Sequence, residues 1–168
     1  HFLNDIMQTN GILAAEGETL DIENEFSNDC FMAFLTKIDQ NLEDKDMSTL
    51  LDVVDYTIEK IMDKGDWEYI NSYVKRGVVT IVNYQRQNRE KIEQAVEMIM
   101  TECRREMDKF QGFYIVIGVG SEKSALADTQ ISIKEAVEAV KARIKLGTDK
   151  IIKYNELTFT PVNVAELT

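Results

Sequence analysis

Apolar residues occur along this chain in two alternating patterns: short continuous runs, and stripes with the spacing of one helix face. The short runs are rich in β-branched and aromatic residues, which is typical of buried strands. Two of them are separated only by Lys75-Arg76-Gly77, and this spacing predicts an antiparallel hairpin. The runs predict strands at 31–38, 67–74, 78–82, 113–119 and 150–154.

The stripes place apolar residues three or four positions apart, as an amphipathic helix requires. They predict helices over 49–64, about 89–110 and 129–146. Ile144 is expected on the buried side of the last helix. Each stripe is preceded by residues suited to cap a helix N-terminus. These residues are Ser48, Asn88, and Asp128 or Thr129.

A further stripe lies at the start of the chain, in a short helix predicted over 1–10. Its apolar side is expected to contact the core, a second copy of the chain or another domain. The methionines of the helix over 89–110 are expected to fill the core, and to form a dimer face where they are exposed. The candidate interface residues are Phe2, Leu3, Ile6, Met7, Met98 and Met100.

The predicted elements follow one another as β-α-β-β-α-β and then α-β. The first six form the ferredoxin-like pattern, an α+β fold in which an antiparallel sheet carries two helices on one face. The extra C-terminal helix and edge strand are expected to extend or cover this sheet. We expect an N-terminal helix and connection over 1–29, the domain itself over 30–157, and a linker tail over 158–168.

Length and composition fit one globular domain, with 168 residues of which 44% are hydrophobic and 29% charged. The formal net charge of −11 disfavours binding to nucleic acid phosphates, which requires clustered Lys and Arg. No apolar run approaches the roughly 20 residues of a membrane span, and the start does not resemble a signal peptide. We expect a cytoplasmic fragment of a longer protein, with Cys30 and Cys103 as buried free thiols.

Few residues suit catalysis or metal binding. His1 is the only histidine, which argues against histidine-based triads and zinc sites with several histidines. Gly118 and Gly120 are expected to form a turn at a strand end, and Lys75-Arg76 a solvated basic pair. We predict no catalytic residue and no cofactor.

One ordered set of residues is similar to a known family. The set comprises Ile117-Gly118-Val119-Gly120, Ser132, Ala136, Ala139-Val140, Leu146-Gly147 and Ile151-Ile152-Lys153-Tyr154. It resembles the closing half of the degenerate GGDEF-like domain of bacterial transcription regulators. These include the PucR and CdaR types and AraC-type response regulators of the YesN kind. The resemblance covers about 31–157, and its motifs lie within 115–154.

The resemblance implies a nucleotide-cyclase-like fold and a role in two-component signalling and transcription regulation. Diguanylate cyclases of this fold carry a Gly-Gly-Asp/Glu-Glu-Phe turn in the hairpin, whereas residues 71–79 here lack those glycines and the carboxylate. We therefore expect a non-enzymatic middle domain that couples an input to DNA binding through dimerisation or domain packing. Expected partners are a second copy and the receiver and helix-turn-helix domains of the parent chain. This segment is expected to bind neither nucleic acid nor membrane.

The main alternative is a sensor domain that retains a cyclase-like pocket for a nucleotide or another small metabolite. This alternative requires a pocket with convergent polar groups between the first strand and the hairpin. A cleft filled with apolar side chains would exclude it. A third hypothesis is a residual phosphoryl-transfer enzyme whose activity depends on Asp39. Asp39 ends the first predicted strand, where the resemblance to a cyclase-like fold implies a metal-binding carboxylate. It is a weak candidate metal ligand, because a magnesium site requires further carboxylates.

Overall fold

The computed structural model describes residues 26–39, 44–109 and 114–157. The strands in these ranges are β1 (Cys30–Ile38), β2 (Glu68–Val74), β3 (Gly77–Tyr84), β4 (Ile115–Val119) and β5 (Lys150–Lys153). The helices are α1 (Asp44–Met62), α2 (Arg89–Met107), α3 (Thr129–Lys141) and the short α4 (Arg143–Leu146). Every predicted strand and helix within the described ranges is present.

The strands form a single sheet in the order β2-β3-β1-β4-β5. Neighbouring strands are antiparallel except for β4 and β5, which are parallel. β1 is the central strand, with Phe34 opposite Thr80 of β3 and Val119 of β4. The ferredoxin-like arrangement is therefore confirmed. The last helices connect the parallel pair, as a crossover must, and add β5 as an edge strand.

Helices cover both faces of the sheet, which explains why its strands are nearly continuous apolar runs. Side chains alternate between the two faces along β1. Phe34 and Ile38 pack in a core with α1 and α2. Phe31 and Leu35 pack against α3 on the opposite face. The two cores are separated only by the thickness of the sheet.

Gly118 and Gly120 lie where α3 packs directly on β4, and the prediction of a glycine turn is wrong. A Cβ on Gly118 would lie 2.2 Å from the carbonyl oxygen of Ala136. A Cβ on Gly120 would lie 2.1 Å from the carbonyl oxygen of Ser132. Such distances are far below van der Waals contact, so only glycine allows this approach. Part of the family-like residue set is thus a helix–strand packing contact.

The Ser132 side chain ties the same contact together through hydrogen bonds. Its hydroxyl oxygen accepts from the Ala33 N–H of β1 at 3.0 Å and donates to the Ser121 carbonyl at 2.9 Å. One turn further along α3, the Glu135 carboxylate accepts from both the N–H and the hydroxyl of Ser121. These bonds fix the loop that follows β4.

Three local predictions are wrong. Ser48 does not cap the first helix, because α1 begins at Asp44, in a stretch whose acidic residues suit a helix N-terminus. Asn88 precedes α2 but makes no side-chain cap, and its amide instead donates to the Asp66 carbonyl at 3.3 Å. Ile144 is 85% exposed rather than buried, because α3 ends three residues earlier and a separate short helix follows.

A ladder of polar side chains attaches the edge strand β2 to α1. Three side chains of β2 each donate a hydrogen bond to an aspartate of α1 or of the turn after it. Burial raises the pKa of both tyrosine hydroxyls in the ladder, and the aspartates that they contact raise it further. The pairs are Tyr69–Asp63, Asn71–Asp55 and Tyr73–Asp52.

Cys30 and Cys103 are both buried with free thiols. Burial raises the pKa of the Cys103 thiol to about 12. Burial also raises the pKa of Cys30, and the nearby Glu122 carboxylate adds to that effect. Both thiols are therefore protonated at neutral pH, as inert core residues are.

In the described part of the chain, no helix combines the length and the apolar character that crossing a bilayer requires. The helix predicted over 1–10 and the tail over 158–168 lie outside the described residues. The same is true of four candidate interface residues, Phe2, Leu3, Ile6 and Met7.

Candidate functional site

The tip of the β2–β3 hairpin lies beside the end of β1. Lys75 and Arg76 form the connection between the two hairpin strands. Arg76 has a φ of 59°, a left-handed conformation that costs free energy for residues other than glycine. Its carbonyl oxygen accepts a hydrogen bond of 2.9 Å from the Ile38 N–H. The tip is thereby held against the last residue of β1.

On the α3 side of the sheet, the chain after β1 meets the end of the α3–α4 region. Arg143 Nε lies 2.9 Å from Asp39 Oδ2, and both side chains are only partly exposed, at 22% and 33%. Arg143 also donates through Nη1 to the Val140 carbonyl at 3.0 Å. These two bonds fix the guanidinium group at the edge of the sheet.

Lys37 lies among other cations at this end of the sheet. Burial lowers the pKa of Lys37, and the charges of Arg143, Arg76 and Lys75 lower it further, while Asp39 opposes them. We call Lys37, Lys75, Arg76 and Arg143 the hairpin-end cluster. Positive charges held this close repel one another, so the cluster favours an anionic partner.

A phosphate group suits the hairpin-end cluster best. Guanidinium groups bind phosphate through paired hydrogen bonds, and a part-buried lysine adds a point charge. The carboxylate that acts on Lys37 within the described residues is that of Asp39, and Arg143 binds it. Among residues 26–39, 44–109 and 114–157, no group of three or more Asp, Glu, Cys or His side chains could hold a metal ion. Asp39 is therefore an ion-pair partner of Arg143, and the weak metal candidate acquires no further ligand there.

An open cleft of about 280 Å³ lies between α1 and the hairpin tip. The α1 side of the cleft is formed by Met47, Ser48 and Leu51, and the hairpin side includes Lys75 and Arg76. Tyr73 and Val74 complete the lining. The cleft is neither filled nor wholly apolar, and it shares two residues with the hairpin-end cluster. It lies between α1 and the hairpin, however, and not between the first strand and the hairpin, where the sensor hypothesis places its pocket.

The methionines expected at an interface are placed differently from each other. Met98 is 50% exposed on α2, whereas Met100 is 6% exposed and belongs to the core. Met98 therefore remains a candidate for contact with a partner. Met100 is not accessible to one in this structure.

Sequence reasoning missed Lys37 and Arg143. Arg143 follows Asp39 by 104 positions, so no spacing along the chain links them. Lys37 could have been noticed from the sequence, because a lysine within a mostly apolar strand is unusual and suggests a specific role. The pair Lys75-Arg76 was noticed, but it was predicted to be merely solvated. Only the fold brings it beside the other two cations.

The fold and the site can be compared with known proteins. No family model matches the sequence, and a search of curated proteins finds no match. One solved structure that this chain resembles is titled the active GGEEF domain of a diguanylate cyclase from Vibrio cholerae. The TM-score is 0.52 at 12% identity, over 86% of this chain and 92% of that one. The fold is cyclase-like and of the GGDEF type.

This comparison corrects one prediction. The chain was expected not to be an enzyme, and the comparison contradicts that expectation, because the fold it shares belongs to an active cyclase domain. At 12% identity the likeness concerns the fold alone. Catalytic activity therefore belongs among the functions that experiments on this domain must measure.

Proposed function

We propose that this domain is a signalling domain that binds a phosphate-bearing small molecule at the hairpin-end cluster. The observation that carries the proposal is that Lys37 lies opposite Gly77, next to Arg76, while Arg143 binds Asp39 just after the same strand, in a chain whose net charge is −11. A cleft on the α1 side of the same hairpin tip shares Lys75 and Arg76 with the cluster. The resemblance to a diguanylate cyclase domain makes a guanine nucleotide the first ligand to test.

Binding at this place would connect three separate parts of the fold. Arg143 belongs to α4, Lys37 to β1, and Arg76 to the hairpin tip. A phosphate that contacts all three would neutralise their mutual repulsion and hold the tip against α4. A ligand with this preference shifts the population toward the closed arrangement, which is how a sensor domain transmits a signal.

The test is a thermal-shift titration of the domain with GTP, with and without Mg²⁺, and with inorganic pyrophosphate. A ligand that binds only the folded state adds about 2.7 kcal/mol of stability at 100 times its dissociation constant. We expect a saturable rise in melting temperature with the nucleotide. No shift with any of the three probes would contradict the proposal.

The same samples should be assayed for cyclic dinucleotide, because the shared fold is that of an active enzyme. Product that disappears in Asp39→Asn would add catalysis to the proposed binding function. Saturable binding without turnover would support a sensor. The two outcomes are separated by one chromatographic measurement of the nucleotides after incubation.

We further propose that the domain lies between input and DNA-binding parts of a bacterial response-regulator transcription factor. It would couple them through dimerisation or domain packing. The support is the family-like residue set at the end of the domain, together with the exposed Met98 of α2. Coupling through dimerisation requires that the protein forms a dimer, so the oligomeric state tests this proposal.

If Met98 lies in a dimer interface, Met98→Lys should make the protein monomeric in multi-angle light scattering without lowering its melting temperature. A lysine is costly at a desolvated interface but harmless on a free surface. Ile144→Lys is the matched control, because Ile144 is also exposed, at 85%, and lies on a different helix. An unchanged dimer in Met98→Lys, or a monomeric parent protein, would contradict the interface.

A further inference from the structure

A second cavity, of about 240 Å³, opens at the end of the sheet opposite the hairpin tip. Its floor consists of apolar side chains from the core with α1 and α2, including Met32 of β1 and Val119 of β4. Ile151 of the edge strand also lines it. We call it the β5-edge pocket. It contains no residue of the hairpin-end cluster.

The β5-edge pocket exists because β5 is short and lies at the edge of the sheet. β5 spans only four residues, and α2 makes few contacts with it. Ile151 is therefore only partly buried, although it packs against the core. An apolar floor that water reaches is the usual basis of a small-molecule site.

The walls of the β5-edge pocket carry more negative than positive charge. Four carboxylates line it, those of Glu93, Glu97, Glu122 and Glu156, against the two cations Arg89 and Lys153. The cations are held loosely: Arg89 lies 4.0 Å from Glu93, and Lys153 lies 3.9 Å from Glu93 and 4.0 Å from Glu156. Because carboxylates outnumber cations in its lining, the pocket attracts a positively charged ligand.

Two of these carboxylates have distinct roles. Glu122 is held in place, because its Oε1 accepts a hydrogen bond of 2.7 Å from the buried Tyr84 hydroxyl and its Oε2 lies 3.6 Å from Arg86. Glu97, on the α2 wall, has no ion pair to any residue of the described ranges. Its carboxylate is thus available to a ligand while Glu122 keeps the local charge negative.

We propose that the β5-edge pocket binds a small organic amine. The ammonium group pairs with Glu97, and the hydrocarbon part rests on Met32, Val119 and Ile151. A second ammonium group is favoured at Glu93 or Glu156, in competition with Lys153. An aliphatic diamine therefore matches the pocket in charge, apolar surface and size.

The test is isothermal titration of the full chain with 1,4-diaminobutane at about 0.15 M salt, where long-range attraction to an acidic protein is screened. We expect one saturable site. Glu97→Gln should weaken binding by about tenfold or more, since bonds to charged groups contribute about 1.5–3 kcal/mol. Ile151→Trp should abolish binding by filling the pocket, while circular dichroism confirms that the fold is kept.

The matched control is Glu90→Gln, which makes the same charge change on the same helix outside the pocket. It should leave the affinity unchanged. Equal weakening by Glu90→Gln and Glu97→Gln would show diffuse attraction to an acidic surface and overturn the proposal. Absence of a saturable site, or tighter binding of 1,4-butanediol than of the diamine, would overturn it as well.

Discussion

Gly118 sets how closely α3 approaches the sheet. An added Cβ would lie 2.2 Å from the Ala136 carbonyl oxygen and 2.7 Å from a methyl carbon of Val140. The carbonyl belongs to the helix backbone, so it cannot move away by a change of side-chain rotamer. We expect Gly118→Ala to lower the free energy of unfolding by about 2–3 kcal/mol, measured by urea denaturation.

The control for this prediction is Ala136→Gly, alone and combined with Gly118→Ala. Alone it should cost about 1 kcal/mol, because glycine weakens a helix interior. Combined, it should restore no stability, because the clash is with the carbonyl oxygen and not with the alanine methyl group. Rescue in the double variant would show that the contact is not a backbone contact.

Tyr84 is the residue whose ionisation should matter most for stability in alkali. Burial raises the pKa of Tyr84, and its hydrogen bond to Glu122 raises it further. The stabilisation is complete below the unfolded pKa near 10. Above that pH the unfolded chain loses the proton while the folded protein keeps it, so stability falls as the pH rises.

Tyr84→Phe should therefore make the loss of stability above pH 10 shallower by about 1.4 kcal/mol per pH unit, the contribution of one proton. It should also cost about 1 kcal/mol at pH 7 through the lost hydrogen bond. Urea unfolding at pH 8, 10 and 11 measures both effects. Tyr114→Phe, at a residue that is 48% exposed, is the control for the loss of a tyrosine hydroxyl. An unchanged slope in Tyr84→Phe would refute the assignment.

At the scale of elements, the ladder between α1 and β2 holds an edge strand that has only one neighbour in the sheet. Tyr73→Phe keeps the ring and removes the bond to Asp52. It should lower the free energy of unfolding by about 0.5–1.5 kcal/mol, measured by urea denaturation. Tyr56→Phe changes an exposed tyrosine on α1, the helix that carries Asp52, and should leave the free energy of unfolding unchanged. Equal effects of the two would argue against the ladder.

Most strands and helices could be predicted because the pattern of apolar residues in each one matches the faces that the fold buries. β1 is buried on both faces, so its apolar run has no polar interruption except Thr36 and Lys37. Helix starts were predicted less well. Ser48 looked like a cap, but helix formation continued back into the acidic stretch, where the positive helix end is favoured by negative residues.

The role of Gly118 and Gly120 could not be read from the sequence. A glycine after a strand is usually a turn residue, and the alternative depends on how close a helix comes. That distance is set by the α3 backbone at Ser132 and Ala136, which belong to a separate element. The sequence contained the residues but not their contact.

At the scale of the whole molecule, the two ends of the sheet differ in charge. The hairpin end gathers cations contributed by β1, the hairpin tip and α4. The opposite end contains the β5-edge pocket with its four carboxylates. At the hairpin end, Asp39 was predicted only as a weak metal candidate and Lys75-Arg76 only as a solvated pair, because the charges meet through tertiary contacts that strand and helix patterns do not encode.

The measurement that tests the central claim most directly is a calorimetric titration of GTP into the native protein and Lys37→Met. Methionine keeps the hydrocarbon part of Lys37 and removes the charge at the middle of the hairpin-end cluster. The matched control is Lys91→Met, at an exposed lysine of α2.

We predict one saturable site in the native protein and in Lys91→Met, and affinity at least about tenfold weaker in Lys37→Met, because a charge-assisted bond to phosphate is lost. Equal affinities in all three proteins would contradict a phosphate site at the hairpin-end cluster. So would the absence of any GTP binding by the native protein.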